Sequence, residues 1–170
     1  MVETLNGIPD IVRMTEQTRE RFLPLTGTGA QPLQSLGIAL AGLSHMAPPY
    51  LASRTPVHCE HVILFSLGGR ARFRCEGGQG ELAPGEMLIC PAHQAHQYYP
   101  DPLWECCWFH LWDTKPWAFL KRYPVHKVRS QFSQRLAWLM DGYIIESSLP
   151  AHASAQAALR ELEEETGIVA

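Results

Sequence analysis

The run WECCWFHLW at residues 104–112 restricts this chain more than any other stretch. On an extended backbone a period of two sends Trp104, Cys106, Trp108, His110 and Trp112 to one side and Cys107, Phe109 and Leu111 to the other. Both sides are apolar, so the predicted strand is covered on both faces. The indole and imidazole side has polar handles suited to a cavity. Phe109 and Leu111 have none and suit packing against helices.

The run closes a longer segment, residues 81–113, that is rich in turn signals. Pro84-Gly85 pairs a fixed φ with a residue that accepts φ > 0, and it launches the apolar run from Met87 to Cys90, which Pro91 stops. Upstream, Leu36, Ile38 and Leu40 share one face of a predicted strand over 36–46, whose other face is small (Gly37, Ala39, Ala41) and suits either a cavity wall or close packing. Residues 61–67 form a β-rich run that Gly68-Gly69 is expected to turn. Residues 70–75 return, and Gly77-Gly78 turns again before 80–82. Many short strands with glycine turns and no helix between them predict an antiparallel β-barrel or jelly roll.

Outside that region the pattern changes. Residues 1–13 lack periodicity, and 15–23 are expected to hold a short helix ended by Pro24. Thr114 with Pro116 reads as a helix start that Pro124 closes, after which Phe132, Leu136, Leu139, Met140, Tyr143 and Ile144 recur at helical spacing. A further helix is expected from Ser148 to Gly167, with a narrow stripe of Ala153, Ala157, Leu159 and Leu162 that permits self-association. The organisation predicted is an N-terminal arm and short helix over 1–34, a barrel over 35–117 and a helical dimerisation or linker segment over 118–170.

Composition sets the outer limits. The chain has 170 residues, 46% of them hydrophobic, and a formal charge of −3, so it can bury one sizeable core but offers no concentrated basic face for nucleic acid. Lys121, Arg122, Lys127 and Arg129 read as a solvated linker. No stretch resembles a signal peptide or approaches the ~20 apolar residues of a membrane span, which predicts a cytoplasmic protein without a membrane partner. Five cysteines suit a reducing compartment, and Cys106-Cys107 read as small hydrophobes.

The segment GELAPGEMLICPAHQAHQY followed by W-x-x-x-W-F-H-L-W, with Tyr50, Arg54 and VILFSLGGRARF upstream, resembles the ligand-sensing N-terminal domain of AraC-type transcription regulators, a cupin barrel. The resemblance covers residues 36–117, with the helical tail also in keeping. It implies a mainly β cupin or jelly-roll barrel with C-terminal α-helices, acting as a sensor and a homodimer through those helices. It also implies a small effector, a sugar or other small metabolite, inside the barrel. The family's sugar-binding member is similar in using a Tyr just after the PG-motif histidine and a His-x-Trp in the next strand, which match Tyr98, His110 and Trp112. A charged Arg expected at the end of the first hairpin strand falls near Gly68, which counts against a sugar. Strand alternation adds Trp108 and His96 to this candidate ligand-binding set. DNA contact is expected only through a helix-turn-helix domain that is absent from this chain, because no recognition-helix pattern precedes Ala170.

The alternative is a small metal-dependent cupin enzyme of isomerase or dioxygenase type. Cupin metal sites generally draw on an H-x-H, a following Glu and the PG-motif histidine. Here His58 and His61 are three apart, which places them on opposite faces of an extended segment, and no Glu follows His61 within the strand. His93 and His96 share that spacing. No cofactor, metal ligand or catalytic residue is therefore assigned, although inward histidines together with His110 are suited to a metal.

Overall fold

The computed structural model describes residues 10–149. The predicted helix over 148–167 lies outside that range apart from its first two residues.

The chain order is β1 (Ile11–Arg13), β2 (Arg19–Phe22), α1 (Ala30–Ser35), β3 (Ile38–Met46), β4 (Leu51–Arg54), β5 (Glu60–Cys75), β6 (Gly78–Leu82), β7 (Glu86–Cys90), β8 (His96–Trp112), β9 (His126–Arg129) and α2 (Ser133–Ser148). All strand pairs are antiparallel. The expected mainly β antiparallel barrel with helical tail is the fold observed.

Two long strands organise it. β8 pairs with β5 along most of its length, from Glu60 opposite Trp112 to Cys75 opposite His96. Its first part also pairs with β4, and its second part with β3. The two strands bend together, and the register shifts between Ser66 and Gly68 and again between Gly69 and Ala71. Such bulges let one strand pass from one wall of a barrel to the next. Here the Gly68-Gly69 turn expected from sequence is corrected. The pair lies within continuous β5, with Gly69 at φ +66, where an added Cβ would stand 2.0 Å from the carbonyl oxygen of Leu103. The two glycines serve a close backbone approach, which the dipeptide alone does not distinguish from a hairpin.

A second correction concerns residues 15–23. No helix forms there; β2 adds to the sheet beside β3, with Arg19 opposite His45 and Phe22 opposite Gly42. Its alternation is poor because three of its four residues are exposed, so the sequence carries little strand signal. β1 likewise pairs with β4. In place of a helix starting at Thr114, the chain forms only a short 3-10 turn, Ala118–Arg122, before β9 pairs with β7.

Alternation along β8 separates two apolar layers. Tyr98, Trp104, Cys106 and Trp108 face inward and join Met46, Tyr50, Val62, Leu64, Leu82 and Leu88 in the barrel core. Each fully buried leucine in that set is worth roughly 1.5–3 kcal/mol relative to exposure. Cys107 and Phe109 face outward and pack with Leu23, Ala41, Leu136 and Met140, placing α2 on the outer wall. The small face of β3 therefore serves close packing, with Ala41 beneath the helix layer. Arg21 pairs with Asp141, Tyr143 Oη donates to the Gly29 carbonyl at 2.6 Å, and Gln134 Nε2 donates to the Leu67 carbonyl at 2.9 Å, which together fix α2 in place.

Candidate functional site

The inner face of the barrel leaves a cavity of about 220 Å³ between β2, β3, β4, β5 and β8. Leu40, Met46 and Leu64 supply its apolar wall, and Phe22 reaches over from β2. Tyr98, Trp108 and His110 line it from β8, Tyr50 and Arg54 from around β4, and Glu20 from β2. A mostly apolar concavity with a few convergent polar groups is the usual form of a small-molecule site.

The aromatic rings hold one another in place. Phe22 meets Trp108 edge-on with centroids 5.7 Å apart, Trp108 meets His110 at 5.5 Å, and Tyr98 meets Trp104 at 5.9 Å. Trp104 Nε1 donates to Ser66 Oγ at 3.0 Å, so this fully buried indole is satisfied within the core and does not line the cavity. Burial pushes the hydroxyls of Tyr50 and Tyr98 well above their ordinary range, so both stay protonated and can donate to a ligand.

The remaining residues expected at the site lie beside the cavity. His96 is buried and stacks on Tyr98, centroids 6.2 Å apart and rings within 11° of parallel, while its Nδ1 contacts the Gln94 carbonyl at 2.8 Å. Burial lowers its pKa to about 4. Trp112, the last residue of β8, is 40% exposed and outside the lining. The structure thus brings Tyr98, Trp108 and His110 together, sets His96 behind Tyr98, and leaves Trp112 apart.

A polar cluster adjoins the cavity through His110. Its Nδ1 lies 2.7 Å from Glu60 Oε2, and His58 Nε2 lies 3.9 Å from the same oxygen. The rings of His58 and His110 meet edge-on at 5.6 Å. The hydrogen bond from His110 holds the Glu60 carboxyl below its ordinary range, against the opposing effect of burial, and burial lowers the pKa of His58. His61 is separate. It points to the other side of β5, where its Nδ1 accepts the Ala92 N–H at 2.9 Å and its Nε2 lies 3.4 Å from Asp113.

A family model for the AraC-like ligand binding domain matches residues 38–166. The chain belongs to this family. The AraC-like domain is also similar to solved structures at low identity. One is a cupin superfamily protein from Desulfitobacterium hafniense DCB-2, at 17% identity over 61% of this chain and 84% of that one, with a TM-score of 0.44. Another is a Cupin 2 conserved barrel domain protein from Salinispora arenicola CNS-205, at 17% identity over 66% and 91%, with a TM-score of 0.45. The protein YlbA from E. coli matches at 12% identity over 72% of this chain and 49% of that one, with a TM-score of 0.50. No curated protein sequence matches.

Several lining residues of the AraC-like domain escape sequence reasoning. Arg54 and Tyr50 stand in the segment that carries the family resemblance, but nothing in their spacing marks them as cavity residues. Glu20 and Phe22 come from the strand that reads as a helix. Glu60 precedes His61, whereas the cupin pattern directs the search to the residues after it.

Proposed function

We propose that this AraC-like domain is the effector-sensing and dimerising part of a cytoplasmic transcription regulator. It binds a small organic metabolite inside the barrel, and DNA contact belongs to a helix-turn-helix domain rather than to the barrel. The observation that supports the reading is the cavity wall itself: Trp108 offers an aromatic face, Tyr98 and Tyr50 offer hydroxyl donors, and Arg54 and Glu20 offer charge of either sign. Such a wall suits a compact polar molecule with one flat or C–H-rich side, a sugar or another small metabolite. Tyr98, Trp108 and His110 contact the effector, His96 supports Tyr98 through ring stacking, and Trp112 contributes least.

Dimerisation follows from α2. Its inner face packs on the barrel, yet Trp138 is 73% exposed, Leu139 51%, Ile145 52% and Leu149 48%. Trp138 and Ile145 share one face of α2 and, with Leu149 just past its end, form a second apolar patch that a partner copy would cover.

A thermal-shift screen of sugars, aromatic acids and related metabolites, followed by indole fluorescence titration, tests the effector reading. A genuine effector raises the melting temperature, and the rise continues with the logarithm of its concentration relative to its dissociation constant. Tyr98→Phe, Trp108→Ala and His110→Ala are expected to weaken it, and Trp112→Ala to change it little. A hit that binds all of the first three variants as tightly as the unaltered protein would place the site elsewhere.

A further inference from the structure

We propose that His58, Glu60 and His110 form a binding site for a divalent first-row transition metal ion at the edge of the barrel cavity. One ligand atom from each of the three lies within 4.8 Å of the other two. Two imidazoles and one carboxylate are the ligand set of open metal sites, which keep at least one coordination position for water or a bound oxygen.

The cluster is built on the two longest strands. Glu60 opens β5 and His110 lies near the end of β8, and the β5/β8 register pairs Val62 with His110, so Glu60 is the next inward residue along the same wall. His58 stands just before β5, on a loop held in place when its carbonyl accepts the His93 N–H at 2.9 Å and its own N–H donates to the Thr55 carbonyl at 3.0 Å. Its Nδ1 faces Asp10, 3.8 Å from Oδ2. That distance is too long for a hydrogen bond, but it places the carboxylate on the side of the ring away from Nε2.

That other nitrogen is the decisive feature. His58 Nε2 is buried and has no hydrogen-bond partner. A buried imidazole nitrogen without a partner is costly, and it lies 3.9 Å from the Glu60 oxygen that His110 Nδ1 already contacts. An ion among these three atoms would satisfy it. Binding requires the proton that His110 Nδ1 shares with Glu60 to leave, so that the neutral ring carries its proton on Nε2, and His58 to carry its own on Nδ1; the His110–Glu60 hydrogen bond is then replaced by two ligand bonds to the ion, with no net oxidation or group transfer.

The site differs from the cupin arrangement of H-x-H, following Glu and PG-motif histidine. His96, the PG-motif histidine, is outside the cluster and is turned through Nδ1 toward the Gln94 carbonyl. His110 takes the third place instead. Because His110 also lines the cavity, an effector oxygen can reach the open coordination position.

The test is titration of untagged, chelator-stripped protein with Co²⁺, followed by visible absorption, with Zn²⁺ as competitor and no organic ligand present. The expected result is one equivalent of Co²⁺, displaced by Zn²⁺. Affinity is expected to fall at least about 10-fold in His58→Ala and in Glu60→Gln, and to stay unchanged in His126→Ala, whose imidazole is outside the cluster. Glu60→Gln keeps the side-chain shape and a hydrogen-bond acceptor for His110, and circular dichroism checks that each variant folds. Absence of stoichiometric uptake by the unaltered protein overturns the proposal, as does unchanged uptake in the folded Glu60→Gln variant. Neither result bears on effector binding, which is read separately.

Discussion

The indole N–H of Trp108 donates to Ser44 Oγ at 2.7 Å, and the Ser44 hydroxyl in turn donates to Glu20 Oε1 at 2.8 Å. This relay crosses from β8 through β3 to β2. It sets the plane of the Trp108 ring against the cavity and holds a partly buried carboxylate at the cavity wall.

Ser44→Ala removes the middle of the relay and leaves a buried indole N–H and a carboxylate oxygen without that partner. The expected loss is about 1–3 kcal/mol in urea denaturation. Adding Trp108→Phe to Ser44→Ala should cost less than the two single changes summed, since both break one network. Additive losses would show that the relay is not coupled.

Stability should fall on mild acidification because of His96. Its pKa drops from the ordinary 6.5 to about 4 on burial. The unfolded chain therefore takes up a proton below about 6.5, and the folded chain only below about 4. The contribution of the neutral ring is complete above the upper value, declines through the window and is gone below the lower one. This drop corresponds to about 3 kcal/mol. Melting curves between these pH values should show the slope in the unaltered protein and a shallower one in His96→Gln.

Gly69→Ala is expected to be among the most damaging single changes. A left-handed backbone costs a non-glycine residue roughly 1–3 kcal/mol. The added methyl would also collide with the Leu103 carbonyl, an ideal Cβ being only 2.0 Å from its oxygen. Gly78→Ala, also at positive φ but with nothing within 4 Å of its Cβ, should cost less. Chemical denaturation of the pair separates strain from collision.

The two faces of α2 should respond differently. Met140→Ala opens a cavity beneath the helix, where Met140 packs with Cys107 and Leu23, and should cost about 2–5 kcal/mol. Trp138→Glu and Ile145→Glu should leave the fold intact and shift the protein from dimer to monomer in sedimentation velocity. An unchanged sedimentation coefficient in both would remove α2 from the interface.

Much of the architecture is legible in the sequence because two signals are strong. Alternation over Trp104 to His110 separates the inner and outer layers, since a side-chain period of two leaves no freedom once one face is buried, whereas Trp112 at the strand end is 40% exposed and outside the cavity lining. The Pro84-Gly85 and Gly77-Gly78 turns also stand where their dihedral preferences put them, Gly78 and Gly85 both at positive φ. What is not legible depends on distant contacts. Gly68-Gly69 has the composition of a turn, but the backbone of Leu103 makes it a bulge. Arg19–Phe22 is a strand because β3 offers it a free edge, which no local pattern encodes. In the site, Tyr98, Trp108 and His110 follow from alternation on one strand. Glu20, Arg54 and the grouping of His58 with Glu60 and His110 arise only when separate strands close around the same space.

Because β8 is a single layer of backbone, the residue touching the cavity and the residue touching α2 are chain neighbours: Trp108 beside Cys107, His110 beside Phe109. No intervening shell absorbs a shift in this wall, so a tilt that accommodates a ligand at Trp108 is felt at the next peptide by the helix that carries Trp138. The same thinness limits how the segment can vary. Loss or gain of one residue between Trp104 and His110 would exchange the two faces, turning indoles toward the helix and Cys107 and Phe109 into the cavity. Length changes here are tolerable only in pairs, whereas a substitution on either face keeps the register of both.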